Sequence, residues 1–170
     1  MLLLAPGDAY LYPMNARHTH PTVPENLVRL TAGLVFLCSL AGLLLRSGWP
    51  FLFLAVDFAL RAFFRPRWSP LAAFSRLVLA PALKLPLEHL ISLAPKRFAA
   101  AIGTALCAGA VLSWILGSAA GLLACGGLLA VFSALESGLG FCAGCQLYGL
   151  GIRLGLVAPE NCPECVVRDQ

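Results

Sequence analysis

The chain has 170 residues and a formal net charge of +4; 59% of it is hydrophobic and 12% charged, with a mean hydropathy of +0.84. Soluble domains carry about 25% charged residues and about 45–50% apolar ones. Too little charge is present to solvate a globule of this size, which excludes an ordinary soluble domain and predicts an all-α integral membrane protein.

In chain order, residues 1–26 read as an N-terminal flank. Its opening MLLLAPGDAY has no basic leader and an apolar run too short for a secretory signal, so the N-terminus is expected to stay where it is made. His18 and His20 alternate in this flank without a metal-ligand spacing. A membrane domain is expected over 27–150, with helices at 27–45, 49–64, 98–116 and 119–141, and a C-terminal tail over 151–170. A spanning helix needs about 17–25 apolar residues, so the second segment is the shortest candidate. RSGWP and Gly117-Ser118 mark tight connections, and R-P-R-W-S-P stops the second segment because its prolines disfavour continued helix. The expected architecture is four transmembrane helices, forming two helical hairpins joined by an interfacial amphipathic segment. That segment, 71–97, is divided by Pro81, Pro86 and Pro95, and its leucines alternate with Arg76 and Lys84.

Basic residues set the orientation. Arg46 lies in the first connection and none lies in the third. The others fall in the flank, the central segment, one end of the helices and the tail. Both termini and the centre are therefore expected in the cytosol, and the positive charge argues for anionic lipid, not nucleic acid. An internal repeat is suggested by Leu54-Ala55-Val56 with Ala59-Leu60, which recurs 75 residues later as Leu129-Ala130-Val131 with Ala134-Leu135. Well inside the apolar runs lie Asp57, Arg61 four residues on, and Glu136, which matches Arg61 in the repeat. Buried charge in a bilayer demands a partner or a wet cavity. The three are expected to form a polar cluster near the cytosolic side, either supporting chemistry or locking the second and fourth helices together.

Four blocks, D-F-x-x-R-A, P-R-x-S-P, A-P-K-R-F-A and G-F-C-x-G-C-x-x-Y, occur in that order between Val23 and Leu150. In this combination the chain resembles the bacterial membrane family known as domain-of-unknown-function family 4395. The resemblance implies a bacterial cytoplasmic (inner) membrane location and association with thioredoxin-like or sulfurtransferase proteins. It places Pro66, Arg67, Ser69, Pro70, Pro95, Lys96, Arg97, Cys142, Cys145 and Tyr148 on motif positions along with Asp57, Arg61 and Glu136. It does not extend to the tail.

Seven cysteines are present. Cys38, Cys107 and Cys125 stand alone in apolar runs and read as small hydrophobes. Cys142-x-x-Cys145 and Cys162-x-x-Cys165, separated by sixteen residues, admit three readings. One is a four-thiolate zinc site, which the spacing fits; otherwise no cofactor is expected. Another is dithiol or sulfur chemistry, because Cys-x-x-Cys pairs and helix N-termini lower thiol pKa values and cytosolic disulfides are transient. The last is packing at a helix end. The favoured expectation is a membrane-embedded, cytosol-facing thiol–disulfide or sulfur-handling protein. In it Cys142 attacks, Cys145 resolves, and Asp57, Arg61 and Glu136 set local charge. The alternatives are a non-catalytic subunit anchoring a partner, and a small-anion transporter assembled as a homo-oligomer.

Overall fold

A computed structural model describes residues 22–64, 68–84 and 90–155. It is almost entirely helical, apart from a short antiparallel ribbon in which β1 (Thr22–Pro24) pairs with β2 (Leu90–Ser92). The ribbon joins the segment before the first helix to the segment before the third long one. Helix α1 (Glu25–Leu44) is followed after a four-residue turn by α2 (Trp49–Phe63). A helical stretch over Pro70–Ala82 comes next: α3 (Pro70–Phe74), a π-wound turn (Ser75–Leu79) and α4 (Ala80–Ala82). Then follow α5 (Leu93–Ile115), α6 (Ala119–Leu139) and α7 (Ala143–Arg153).

Three helices, α1, α5 and α6, are long and apolar enough to cross a membrane. Their mean hydropathies are 1.8–2.1, although no more than 33% of each apolar window is buried inside the protein. Side chains such as Leu37, Leu112, Leu123 and Val131 point outward. Apolar surface on that scale calls for an apolar solvent. Helix α2 is shorter than the expected fourth span: Pro50 sits in its first turn and it stops at Phe63. Fifteen residues make about 22 Å of helix against a hydrocarbon core of about 30 Å. Helix α5 instead begins five residues before the expected 98. Pro95 sits within its first turn, where a missing N–H leaves no intrahelical bond unmade.

Helix α1 packs mainly along α6 and α2 along α5, with α5 and α6 in contact with each other. The core is Val35, Phe51, Leu54, Cys107, Ala110, Leu122 and Leu129, with Leu71 at its polar end. Phe51 is fully buried between two glycines. A Cβ on Gly42 would lie 2.6 Å from its Cε2, and one on Gly126 2.6 Å from its Cζ.

Burial repeats along the chain. In α1 the buried positions include Leu27, Ala32, Val35, Ser39 and Gly42; 68 residues later α5 buries Pro95, Ala100, Gly103, Cys107 and Ala110. In α2 Phe51 and Leu54 are buried, and 75 residues later α6 buries Gly126 and Leu129. The offset grows by seven residues because the α5–α6 pair extends about one turn further on each helix. Both first helices end alike. Arg46 (φ 49) follows α1 and Gly117 (φ 68) follows α5. Beyond each, a serine N–H reaches back to a carbonyl in the last helical turn (Ser47 to Gly42, 3.0 Å; Ser118 to Ser113, 2.8 Å).

Candidate functional site

Apart from Arg46 in the first of these turns, the bonded charges of the helices gather at the opposite end of the bundle, in two groups. In the first, Asp57 is fully buried on α2 and pairs with Arg61 one turn on. Its Oδ1 accepts from the Ser69 hydroxyl at 2.6 Å and from the Leu71 N–H at 3.1 Å. Ser69 caps α3: its Oγ accepts from the Ala72 N–H at 3.1 Å and from Arg61 Nε at 3.0 Å. The D-F-x-x-R-A block and the S-P pair thus meet as one closed network. An anionic carboxylate sits at a helix start, where backbone donors and the helix dipole favour it. Arg61 also lies over the Phe58 ring, 5.1 Å from its centroid.

The second group is built by A-P-K-R-F-A at the start of α5, whose last four side chains meet three different helices. Lys96 pairs with Glu136 on α6. Arg97 caps the end of α2, its Nε donating to the Ala62 carbonyl at 3.1 Å. Phe98 meets Tyr148 of α7, with ring centroids 5.7 Å apart. Ala99 meets Gly144, where a Cβ would come 2.6 Å from the Ala99 Cα. The glycine of Cys-Ala-Gly-Cys is therefore required by the close approach of α7 to α5. On the other side Arg29 of α1 caps α6, its Nε donating to the Ser137 carbonyl at 3.3 Å and Nη2 to Gly138 at 2.6 Å. Ala62 and Ser137 are again 75 residues apart.

Glycine positions the cysteines. Gly140 takes a left-handed conformation (φ 69) and ends α6; two residues later Cys142 caps α7. Cys142 and Cys145 are joined in a disulfide, and the Cys145 N–H donates to Cys142 Sγ at 3.3 Å. Cys142 is buried and Cys145 half-buried. A polar cleft of about 840 Å³ runs past both sulfurs, bounded by Glu25, Arg29, Lys96, Glu136 and Arg153. A smaller, mostly apolar cavity of about 180 Å³ lies among Phe58, Leu106, Leu129 and Phe132, with Arg61, Arg76 and Lys96 at its polar side. Cys142 borders both spaces; Cys145 borders only the polar one. Burial pushes the Tyr148 phenol above its ordinary pKa.

Of the expected cluster of Asp57, Arg61 and Glu136, Arg61 and Glu136 border the same cavity, but no bond among the described residues links Glu136 to the Asp57–Arg61 pair. Glu136 is paired with Lys96, while Arg61 is bound to Asp57 and Ser69. The Asp57 network joins α2 to the start of α3, and does not tie α2 to α6. Arg61 and Glu136, at matching positions of the two repeats, take different ion-pair partners at this end. Lys96, Arg97 and Gly144 were motif positions or spacers in the sequence, without assigned partners. Arg29 carried only the signal of its basic charge near a helix start.

Among the described residues no group of three or more His, Cys, Asp or Glu side chains is arranged to hold a metal ion. The Cys162–Cys165 half of the zinc expectation, His18, His20, Pro66 and Arg67 lie outside the described residues.

A helical protein with membrane-length apolar helices and a Cys-x-x-Cys disulfide at the head of a short polar-end helix is the class that these features define. The chain belongs to the family described as a domain of unknown function, DUF4395, which matches residues 23–153. No curated protein and no solved structure matches it.

Proposed function

We propose that this is a thiol–disulfide exchange protein of the bacterial cytoplasmic membrane, with α2 as a fourth, short span beside α1, α5 and α6. The four helices form two hairpins, and the basic end, with both termini, faces the cytosol. The bias of Lys and Arg toward that end supports the orientation. The opposite turns carry Arg46 and the neighbouring rings of Trp49 and Trp114, whose amphipathic rings suit a membrane interface.

The observation that carries the reading is the Cys142–Cys145 disulfide at a helix start, open to a polar cleft beside Lys96 and Arg29. A partner thiolate attacks the half-buried Cys145. Its sulfur bonds to the partner's, the Cys142–Cys145 bond breaks, and Cys142 leaves as a thiolate. That thiolate is held by the Cys145 N–H, the α7 dipole and the nearby Lys96 cation, all of which make it a good leaving group. From the difference in exposure we take Cys145 as the sulfur that an incoming partner thiolate meets, and Cys142 as the one that then acts as the inner thiolate. A thioredoxin-like or sulfurtransferase protein is the proposed partner.

Equilibrating the purified protein in lipid nanodiscs with glutathione buffers, then trapping thiols with a mass-tagged alkylator, tests this. Cys142 and Cys145 are expected to gain and lose tags together. Failure of the pair to respond at any glutathione ratio while the protein stays folded overturns the proposal.

A further inference from the structure

Cys142 forms part of two walls. On one side is the polar cleft, which Cys145 shares; on the other is the apolar cavity, which Cys145 does not reach. An electron pair entering from a water-soluble thiol through Cys145 therefore arrives at a residue that borders an apolar space. That space holds about 180 Å³, and an apolar cavity of about 150 Å³ accepts a benzene-sized ring. It is too small for a phospholipid headgroup with its chains, and it suits one substituted six-membered ring. Phe132 and Leu147, which help to line it, are exposed on the outer surface, so the cavity's lining reaches the protein's apolar exterior.

The polar side of this cavity is a donor side. Arg76, on the π-wound turn, borders the space and makes no hydrogen bond or ion pair among the described residues. A guanidinium beside apolar walls is matched by a ligand oxygen, and best by one that gains negative charge during reaction. The Lys96–Glu136 pair borders the same cavity as Cys142.

We infer that the apolar cavity binds the ring of a membrane quinone, which takes electrons from the Cys142–Cys145 dithiol. This rests on the thiol-exchange reading above and names its electron acceptor. In the reduced protein the Cys142 thiolate adds to a ring carbon, placing negative charge on the carbonyl oxygen beside Arg76. Cys145, deprotonated through Lys96–Glu136, then attacks Cys142 Sγ. The S–S bond forms, the S–C bond breaks, and the ring departs as the quinol. Overall, two thiols are oxidised to a disulfide, and the quinone gains their two electrons and two protons.

The test uses reduced full-length protein in nanodiscs and decyl-ubiquinone, whose fully substituted ring resists permanent alkylation. Quinol formation is followed by absorbance and the disulfide by mass-tag trapping. One quinol per protein is expected, with none formed by Cys142→Ser. Arg76→Gln, which removes a charged donor, is expected to raise the half-saturating quinone concentration about tenfold. Ile102→Phe, which narrows the cavity from a partly exposed wall position, is expected to slow the reaction without Arg76 being touched. If the wild-type pair equilibrates with glutathione but decyl-ubiquinone oxidises wild type and both cavity variants equally slowly, the quinone site is wrong and the exchange reading stands. If the wild-type pair responds to neither reagent, both fall.

Discussion

The two charged groups at the polar end look alike in sequence and differ in what their atoms have left to do. Around Asp57 each carboxylate oxygen has a partner, and the Ser69 hydroxyl accepts twice and donates once. Around Lys96 and Glu136 the pair borders two spaces and a disulfide. The first group closes a corner of the fold: it secures the chain where α2 gives way to α3. The second leaves charge on the same walls as the disulfide. Intramembrane charge is thus no mark of chemistry by itself; the number of unfilled directions around it is.

Substitutions can break or sharpen this contrast. The largest effect is expected from Asp57→Ala, which strands Arg61 and removes the acceptor for Ser69 and Leu71. Removing one member of a buried pair costs about 3–5 kcal/mol, seen as a lower unfolding temperature in detergent. The glutathione equilibrium of the folded fraction is expected to stay where it was; a shift would mean that the two groups are coupled.

Gly144→Val comes next. Its Cβ has no room against Ala99, and overpacking of this kind costs about 1–3 kcal/mol. Because it lifts α7 from α5, it is expected to speed alkylation of the reduced Cys142, which now gains exposure. An unchanged alkylation rate would show that the seating of α7 does not control access to the sulfur.

Lys96→Gln is expected to act on chemistry more than on stability, since both partners retain some solvent access, and such pairs contribute about 1 kcal/mol or less. Removing the cation disfavours the nearby thiolate, so the pH midpoint for alkylation of reduced Cys142 is expected to move upward. No movement would separate the Lys96–Glu136 pair from the dithiol.

Tyr148→Phe is the smallest change. It keeps the ring packed on Phe98. Because burial raises the phenol above its usual 10, the folded protein holds this proton where the unfolded chain loses it. Its contribution is complete below pH 10 and falls as pH rises through the folded-state value. The variant is expected to match wild type at neutral pH and to lose less stability in strongly alkaline buffer.

The sequence by itself determined the kind of solvent this chain needs and the rough placement of its helices. Both follow from local quantities: charge density, the lengths of apolar runs, and the prolines and glycines that bound them. It also marked the repeat, although only the buried faces at offsets of 68 and 75 reveal its seven-residue lengthening at one tip. Pro95 read as a break and proved to be part of a first helical turn, since a proline is harmful only where its missing N–H would have been used. The partners of the charges were beyond the sequence. Lys96 meets Glu136 across 40 residues, and Ser69 reaches Asp57 across 12, only because packing sets the helices against one another. The sides of the disulfide were likewise decided by tertiary structure. Cys142 and Cys145 are equal in spacing, but with α7 packed on α5 Cys142 borders both the apolar cavity and the polar cleft, and Cys145 the cleft alone.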